Sequence, residues 1–213
     1  MTIGTLAITL AWVPFADPEQ AAVLYTVALI VLGYSGFQAG LAFGYLPAGL
    51  PAAKVGSPDT GASPAREVAV RRVRQQHRLV SRSWLEFTIG GKNCWLPVFF
   101  EPSLLSMTQD TAELSGRAIH IDGERLYPSG RIRNSEPVGK LIDNPSRPDP
   151  AAITRSGHGR HLLLDAQSAI AAPLIGLMWV YIGGGGPTAF AAATVVAASA
   201  AVWLAAIRGS DPS

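Results

Sequence analysis

Long apolar runs lie near both ends of the chain and predict helices that cross a membrane. No charged residue occurs from Ala21 to Leu46, and about twenty apolar residues are enough to span the hydrocarbon core of a bilayer. Pro18 precedes this run between two acids, Asp17 and Glu19, an arrangement typical of a helix N-terminus. The pattern predicts a transmembrane helix over residues 18–46.

The segment Met1–Phe15 is also apolar, but it is short. At 1.5 Å per residue, a helix of this length reaches about 22 Å, whereas the hydrocarbon core is ~30 Å thick. The segment therefore either lies in the membrane interface or adds one more crossing. Residues 1–50 together form the predicted N-terminal membrane segment.

The C-terminal apolar region predicts a helical hairpin over residues 161–208. Its arms are Leu162–Ile182 and Thr188–Ile207, and four glycines followed by Pro187 separate them. Each arm has about twenty residues, which matches the thickness of a bilayer. Pro173 lies inside the first arm, and we expect it to kink that helix.

Between the apolar ends, an alternation of apolar and polar residues predicts a strand-rich domain over residues 65–142. Trp84–Ile89 and Asn93–Phe100 flank a Gly-Gly-Lys turn, which predicts a β-hairpin. Around Asp122 and Gly123, the segments Gly116–Ile121 and Arg125–Tyr127 predict a second hairpin. Four or five short strands would form a small barrel or sandwich, preceded by a basic segment that is either a helix or a first strand. Linkers rich in proline and small residues are predicted at 51–64 and 143–160.

Composition and charge fix the class of protein that we expect. With 15% charged residues and a mean hydropathy of +0.25, the chain is too apolar for an ordinary soluble domain. Sixteen of its seventeen Lys and Arg residues lie between Lys54 and Arg160, and the other is Arg208. Bases close to helix ends favour the cytoplasmic side, so we expect the middle domain and the C-terminus inside and the glycine turn outside. The predicted fold is a membrane α-helical bundle of three transmembrane helices, or four if Met1–Phe15 crosses, with an inserted small β-rich cytoplasmic domain.

Two stripes of small residues indicate close packing between helices. Small residues spaced four apart let helix backbones approach each other in a membrane. We expect both stripes to pack against other helices of this chain, with a partner helix as the alternative. The stripes are Gly33, Gly36, Gly40 and Gly44 in the first long helix and Ala193, Ala197 and Ala201 in the last.

An arginine-rich segment precedes the first predicted hairpin and favours an anionic surface. Juxtamembrane bases attract anionic lipid headgroups by up to ~1 kcal/mol each. The alternative is a basic strip that meets acidic groups of its own domain. The candidate residues for lipid contact are Arg66, Arg71, Arg72, Arg74, Arg78 and Arg82.

The chain shows no motif for catalysis, for a cofactor or for nucleic acid. His158 and His161 are three residues apart, but zinc needs three or four convergent ligands, so we expect no metal there. Cys94 lies in an apolar strand without an adjacent histidine, which favours a small core residue over a nucleophile. The middle domain is only mildly basic and is not expected to bind nucleic acid.

Three short runs between Trp84 and the C-terminal hairpin carry a resemblance to other proteins. They are Trp95-Leu96-Pro97-Val98, Glu101-Pro102-Ser103-Leu104-Leu105 and Tyr127-Pro128-Ser129-Gly130-Arg131. In these runs and in the terminal hairpin, the chain resembles membrane proteins of unassigned function from high-GC actinobacteria. The resemblance extends from Trp84 to the end and implies a bacterial inner membrane, but no activity and no functional residues.

These features favour a non-enzymatic accessory or scaffold subunit of a transport or cell-envelope complex. The expected partners are the membrane and other membrane-protein subunits, with the cytoplasmic domain in contact with them. Two alternatives belong to other classes. One is an enzyme that acts on lipid at the cytoplasmic interface around His158, His161 or Glu101, and the other is a small-solute channel or exporter.

Overall fold

The computed structural model describes residues 1–50, 66–78, 80–107, 109–114, 118–144 and 158–213. They form two compact units. The helical unit comprises Met1–Phe37 and Leu162–Ile207, and the β unit comprises Gln38–His161 and Arg208–Ser213. The predicted linker at 51–64 and most of the one at 143–160 lie outside the described residues.

Five α-helices account for the apolar ends of the described chain. Three stretches are long and apolar enough to span a membrane: Pro18–Ala42, Gly159–Gly183 and Pro187–Ile207. The middle stretch consists of two helices joined by a 3-10 turn at Ser168–Ala171. The helices are α1 Thr2–Ala11, α2 Pro18–Ala42, α3 His158–Gln167, α4 Ala172–Gly183 and α5 Pro187–Ile207.

The end of α2 differs from the sequence prediction, and Pro173 lies at the start of a separate helix. Helix α2 ends at Ala42 and not at Leu46, because Gly44 adopts a φ of +79° and turns the chain. The Leu46 N–H then donates to the Gly40 carbonyl at 2.8 Å. Pro173 lies in the first turn of α4, directly after the 3-10 turn, where a missing N–H costs nothing; the kink that we expect there stays a prediction.

Polar side chains connect the helices of the helical unit. The Trp203 indole of α5 donates to the Ser35 hydroxyl of α2 at 3.1 Å, and that hydroxyl lies 3.1 Å from the Thr2 hydroxyl of α1. The Thr5 hydroxyl of α1 donates to the Ser199 carbonyl at 3.2 Å. Helices α1, α2 and α5 are thus joined by hydroxyl and indole hydrogen bonds, as is common between membrane helices.

The β unit contains a curled antiparallel sheet. The order of the strands is β3-β2-β1-β4-β5-β6, and β7 pairs with the second half of β1. Both predicted hairpins are confirmed: β2 and β3 turn at Gly90-Gly91, and β5 and β6 turn at Asp122-Gly123. The basic segment is the strand β1. The strands are β1 Arg66–His77, β2 Val80–Ile89, β3 Lys92–Val98, β4 Asp110–Leu114, β5 Ile119–Ile121, β6 Glu124–Leu126 and β7 Lys140–Asp143.

The segment Tyr127–Arg133, here called the closing segment, leads from the last strand of the sheet to the free edge of β3. Trp95 and Arg133 exchange two backbone hydrogen bonds of 2.8 Å. The Ser129 N–H donates to the Pro97 carbonyl at 2.9 Å. The edge of β3 is therefore covered, which removes a site for unwanted strand pairing. The sheet curls around a core that includes Val70, Leu85, Phe87, Cys94, Leu96, Val98, Ala112, Leu114 and Ile119.

Candidate functional site

Two opposite charges are buried together inside the β unit. Arg72 belongs to β1, and Asp211 belongs to the segment that follows α5. Their side chains are 2% and 0% exposed, and Arg72 Nη2 lies 2.7 Å from Asp211 Oδ2. Strand alternation places Arg72 on the same face as Val68 and Val70, which point into the core. The arginine is therefore buried, and its charge requires a counter-ion.

Further hydrogen bonds surround this ion pair. The Ser83 hydroxyl donates to Asp211 Oδ2 at 2.7 Å, and the Ser213 hydroxyl donates to Oδ1 at 2.6 Å. On the other side, Arg72 Nη1 donates to Asn144 Oδ1 at 2.6 Å. These five residues, here called the tail clamp, fix residues 208–213 to the sheet.

Two ionisable groups in and beside the clamp, Asp211 and Arg74, have shifted pKa values. Burial alone would raise the pKa of the Asp211 carboxyl, but the Arg72 charge and the hydrogen bonds from Ser213 and Ser83 outweigh it, so the pKa is lowered. Burial is also the largest cause that lowers the pKa of Arg74, and the nearby Arg72 and Arg160 charges add to it. Ionised Asp211 is thus the stable form in the folded β unit.

We expect the β unit to lose stability in acid because of Asp211. A carboxyl whose folded pKa is depressed contributes its full stability above its unfolded pKa and loses it as the pH falls through the folded value. The free energy of unfolding should therefore fall below about pH 4. Denaturant titrations between pH 7 and pH 3, followed by circular dichroism, would measure this. In the double variant Arg72→Met, Asp211→Leu the decline should be shallower, and equal declines in both proteins would refute the assignment.

The predicted lipid-contact arginines lie on both faces of the strands and differ in exposure. Arg71 is paired with Glu86 at 2.7 Å and with Asp143 at 3.5 Å. Arg72 is in the tail clamp, and Arg74 and Arg82 are half-buried. Arg78 is exposed in the turn between β1 and β2, with a φ of +54°. The side chain of Arg66 lies outside the described residues. The structure therefore does not bring these arginines together as one exposed strip, and lipid contact stays a prediction for the exposed members.

The predicted small-residue stripes lie in several different environments. No described atom lies within 4 Å of the position that a Cβ would take at Gly33 or Gly36. Gly40 is covered by the side chain of Leu46, six residues later in the sequence, and Gly44 is in the turn after α2. Ala193, Ala197 and Ala201 are half-buried on α5, which packs against α1 and α4.

A glycine outside both stripes makes the closest helix contact. Gly176 of α4 faces the Thr194 hydroxyl of α5, and its Cβ position lies 3.1 Å from the Phe190 carbonyl. The sequence signal was present, because Gly176 lies in an apolar arm next to an alanine-rich helix. Because Gly176 is not part of a series of small residues spaced four apart, the sequence pattern did not identify it as a helix contact.

The closing segment touches residues that lie next to two helix ends. The Gln38 side-chain amide donates to the Ser129 carbonyl at 3.3 Å, and Gln38 lies in the last turns of α2. Gly209, two residues after α5, approaches Ser129, with 3.0 Å between its Cβ position and the Ser129 Cβ. Ser129 is therefore in contact with both chain segments that enter the β unit from the long helices.

The histidines and the cysteine do not form a ligand set among the residues that the structure describes. His161 Nε2 lies 2.7 Å from the Ser210 hydroxyl, and Cys94 is buried in the core of the sheet. Within the described ranges, no group of three or more His, Cys, Asp or Glu side chains could hold a metal ion. The side chain of His158 lies outside those ranges.

Among the described residues of the β unit, two of the cavities have polar linings. One, of about 340 Å³, is lined by Arg71, Arg72, Gln109, Asp143 and Asn144. The other, of about 270 Å³, has the carboxylates of Asp110, Asp122 and Glu124 among its lining groups. In the first cavity both guanidinium groups are already paired with carboxylates, so its charge is largely neutralised.

Comparison of the chain with models of protein families, with curated proteins and with solved structures finds no match.

Proposed function

We propose that this chain is a multi-pass protein of the bacterial inner membrane that serves as a non-enzymatic accessory or scaffold subunit of a transport or cell-envelope complex. Its β unit would lie in the cytoplasm and contact partners. The observation that carries the proposal is an open glycine face on α2, directed away from the contacts that α2 makes inside the helical unit.

Membrane insertion is supported by the side chains that the three long helices expose. Large apolar residues are uncovered along Pro18–Ala42 and Gly159–Gly183, and Val195 is uncovered on α5. Water would solvate so extensive an apolar surface poorly. A bilayer would bury the same side chains, and the helices satisfy their own backbone hydrogen bonds, as lipid requires. Exposed examples are Leu29, Ile30, Leu32, Leu174, Ile175, Leu177, Met178 and Val195.

The geometry of α2 supports a partner helix. At about 100° per residue, Val31 and Ser35 lie about 160° around the helix axis from Gly33. Val31 is buried, and Ser35 bonds to Trp203, so this side faces the other helices of the unit. Gly33 is on the opposite side, Gly36 lies about 100° around the axis from Ser35, and both glycines have open space in front of them. Small residues there would let a second helix approach closely.

Charge supports the proposed orientation. Lys54 and Arg66 follow α2 in the sequence, Arg155 and Arg160 precede the C-terminal hairpin, and Arg208 follows α5, while the glycine turn between α4 and α5 carries no base. The inside-positive bias therefore favours a cytoplasmic β unit. Resistance to extraction by alkaline carbonate, and protection of the β unit from protease added to intact cells, would test insertion and orientation.

Co-purification in mild detergent tests the accessory role. We expect other subunits to elute with the chain, and the double variant Gly33→Leu, Gly36→Leu to lose them, because leucine side chains would fill the gap that the partner helix occupies. Ala191→Leu is the matched control, since Ala191 is an exposed small residue on α5, and it should retain the partners. A wild-type chain that always elutes alone and monomeric would overturn the proposal.

A further inference from the structure

We propose that the turn after α2, together with Arg125, forms a contact site for the headgroups of anionic lipids. The inference rests on the proposed membrane insertion of α2. It concerns a surface different from the arginine-rich strands β1 and β2, where the guanidinium groups of Arg71 and Arg72 are already paired with carboxylates.

The turn exposes two aromatic side chains directly after the last residue of α2. Phe43 is 57% exposed and Tyr45 is 78% exposed. Aromatic residues are enriched where a spanning helix leaves the hydrocarbon region, because their rings are apolar while tyrosine also carries a polar hydroxyl. A spanning α2 that ends at Ala42 would place both rings at that depth.

Backbone hydrogen bonds hold this turn in one conformation. The Phe43 N–H donates to the Ala39 carbonyl at 2.9 Å, and the Leu46 N–H donates to the Gly40 carbonyl at 2.8 Å. Gly40 has no side chain, so Leu46 folds against it, and Gly44 supplies the positive φ that the reversal needs. The two exposed rings are thus presented by an ordered turn, which lowers the entropic cost of binding.

Arg125 adds a positive charge beside these rings. Its Nη2 donates to the Phe43 carbonyl at 2.9 Å, and its guanidinium carbon lies 5.4 Å from the centre of the Tyr127 ring. The Tyr127 ring in turn packs edge-on against Phe43, with 6.0 Å between the ring centres. These contacts join the turn to β6 and to the closing segment.

The charge of Arg125 is not neutralised by a carboxylate within the part of the chain that the structure describes. The ion pairs that join two described side chains involve Arg71 and Arg72. A carbonyl and an aromatic face position the guanidinium group without cancelling its charge. Its Nε is buried, so the remaining Nη donors are the ones that match the oxygens of a phosphate. A phosphate headgroup with a net negative charge is therefore the ligand that fits, more so than a zwitterionic headgroup.

The test uses the full chain in vesicles, with one fluorophore that senses its environment. Wild-type Cys94 is the single cysteine and is 6% exposed, so a Tyr45→Cys variant in a Cys94→Ala background carries the label at one position. Lys92→Cys is the control. Lys92 is exposed at the other end of β3, roughly 17 Å along the strand from the contact between Pro97 and Ser129.

In vesicles of phosphatidylcholine with phosphatidylglycerol, we expect the label at position 45 to be quenched by a quencher attached to lipid headgroups. Iodide in the water should quench it several-fold less than the label at position 92. Adding Arg125→Gln should reduce the lipid quenching in these vesicles and leave it unchanged in vesicles of phosphatidylcholine alone.

Two results would overturn the inference. The first is equal access of iodide to both labels while the chain still resists carbonate extraction, which leaves the proposed insertion standing. The second is lipid quenching at position 45 that depends neither on phosphatidylglycerol nor on Arg125. If alkaline carbonate extracts the chain, both the inference and the proposed membrane insertion are wrong. Carbonate resistance therefore distinguishes failure of the inference alone from failure of the proposed function.

Discussion

Replacing Asp211 with asparagine is expected to lower the free energy of unfolding of the β unit by about 3–5 kcal/mol, because it leaves Arg72 buried without a counter-ion. The Arg72 guanidinium is 2% exposed and cannot turn to water without opening the sheet. Cys94 provides the measurement, since it is buried in the core of the same unit. The rate at which a thiol reagent labels it in detergent, as the temperature is raised, reports opening of the sheet.

Two further variants separate the charge effect from a general loss of packing. Arg72→Met combined with Asp211→Leu removes both charges and should recover much of the stability, because apolar residues often replace a buried ion pair without loss. Arg71→Gln breaks the partly exposed pair with Glu86 and should cost no more than about 1 kcal/mol. If Asp211→Asn costs no more than Arg71→Gln, the tail clamp does not stabilise the β unit.

Replacing Gly176 with valine is expected to have the next largest effect and to disrupt packing of α4 on α5. A side chain at this position would meet the Thr194 hydroxyl and the Phe190 carbonyl. Thr194 could rotate away, but the carbonyl belongs to the backbone of α5, so the helices themselves would have to separate. Overpacking of this kind costs about 1–3 kcal/mol or more.

The measurement for Gly176→Val is the temperature at which the detergent-solubilised protein loses its monodisperse peak in size-exclusion chromatography. Gly4→Val in α1 is the matched control, since the same side chain would there enter open space. We expect a clear decrease in this temperature for Gly176→Val and little change for Gly4→Val. Equal decreases for both variants would mean that helix propensity, and not the contact with α5, determines the result.

The hairpins of the β unit could be predicted from the sequence, but the burial of Arg72 with Asp211 could not. The two β-hairpins were predicted at the correct turns, because alternation and Gly-containing turns are local signals. The arginines of β1 looked alike in sequence, yet Arg71 is on the surface and Arg72 is in the core. That difference depends on which face of the strand is covered, and a one-residue shift reverses the face. The role of Asp211 was not predicted, because nothing near it in sequence identifies a partner in β1.

The sequence by itself determined the apolar helices near both ends, the glycine turn of the terminal hairpin and the strand-rich nature of the middle domain. These properties follow from hydrophobic period and from residues with special backbone freedom, which act over a few positions. Only the tertiary structure decided that Arg72 and Asp211, 139 residues apart, are buried as a pair. It also decided that Gly176 contacts α5 while Gly33 and Gly36 face open space. The physical reason is that burial of a charge, or close approach of two backbones, depends on what covers a residue, and the covering groups come from distant parts of the chain.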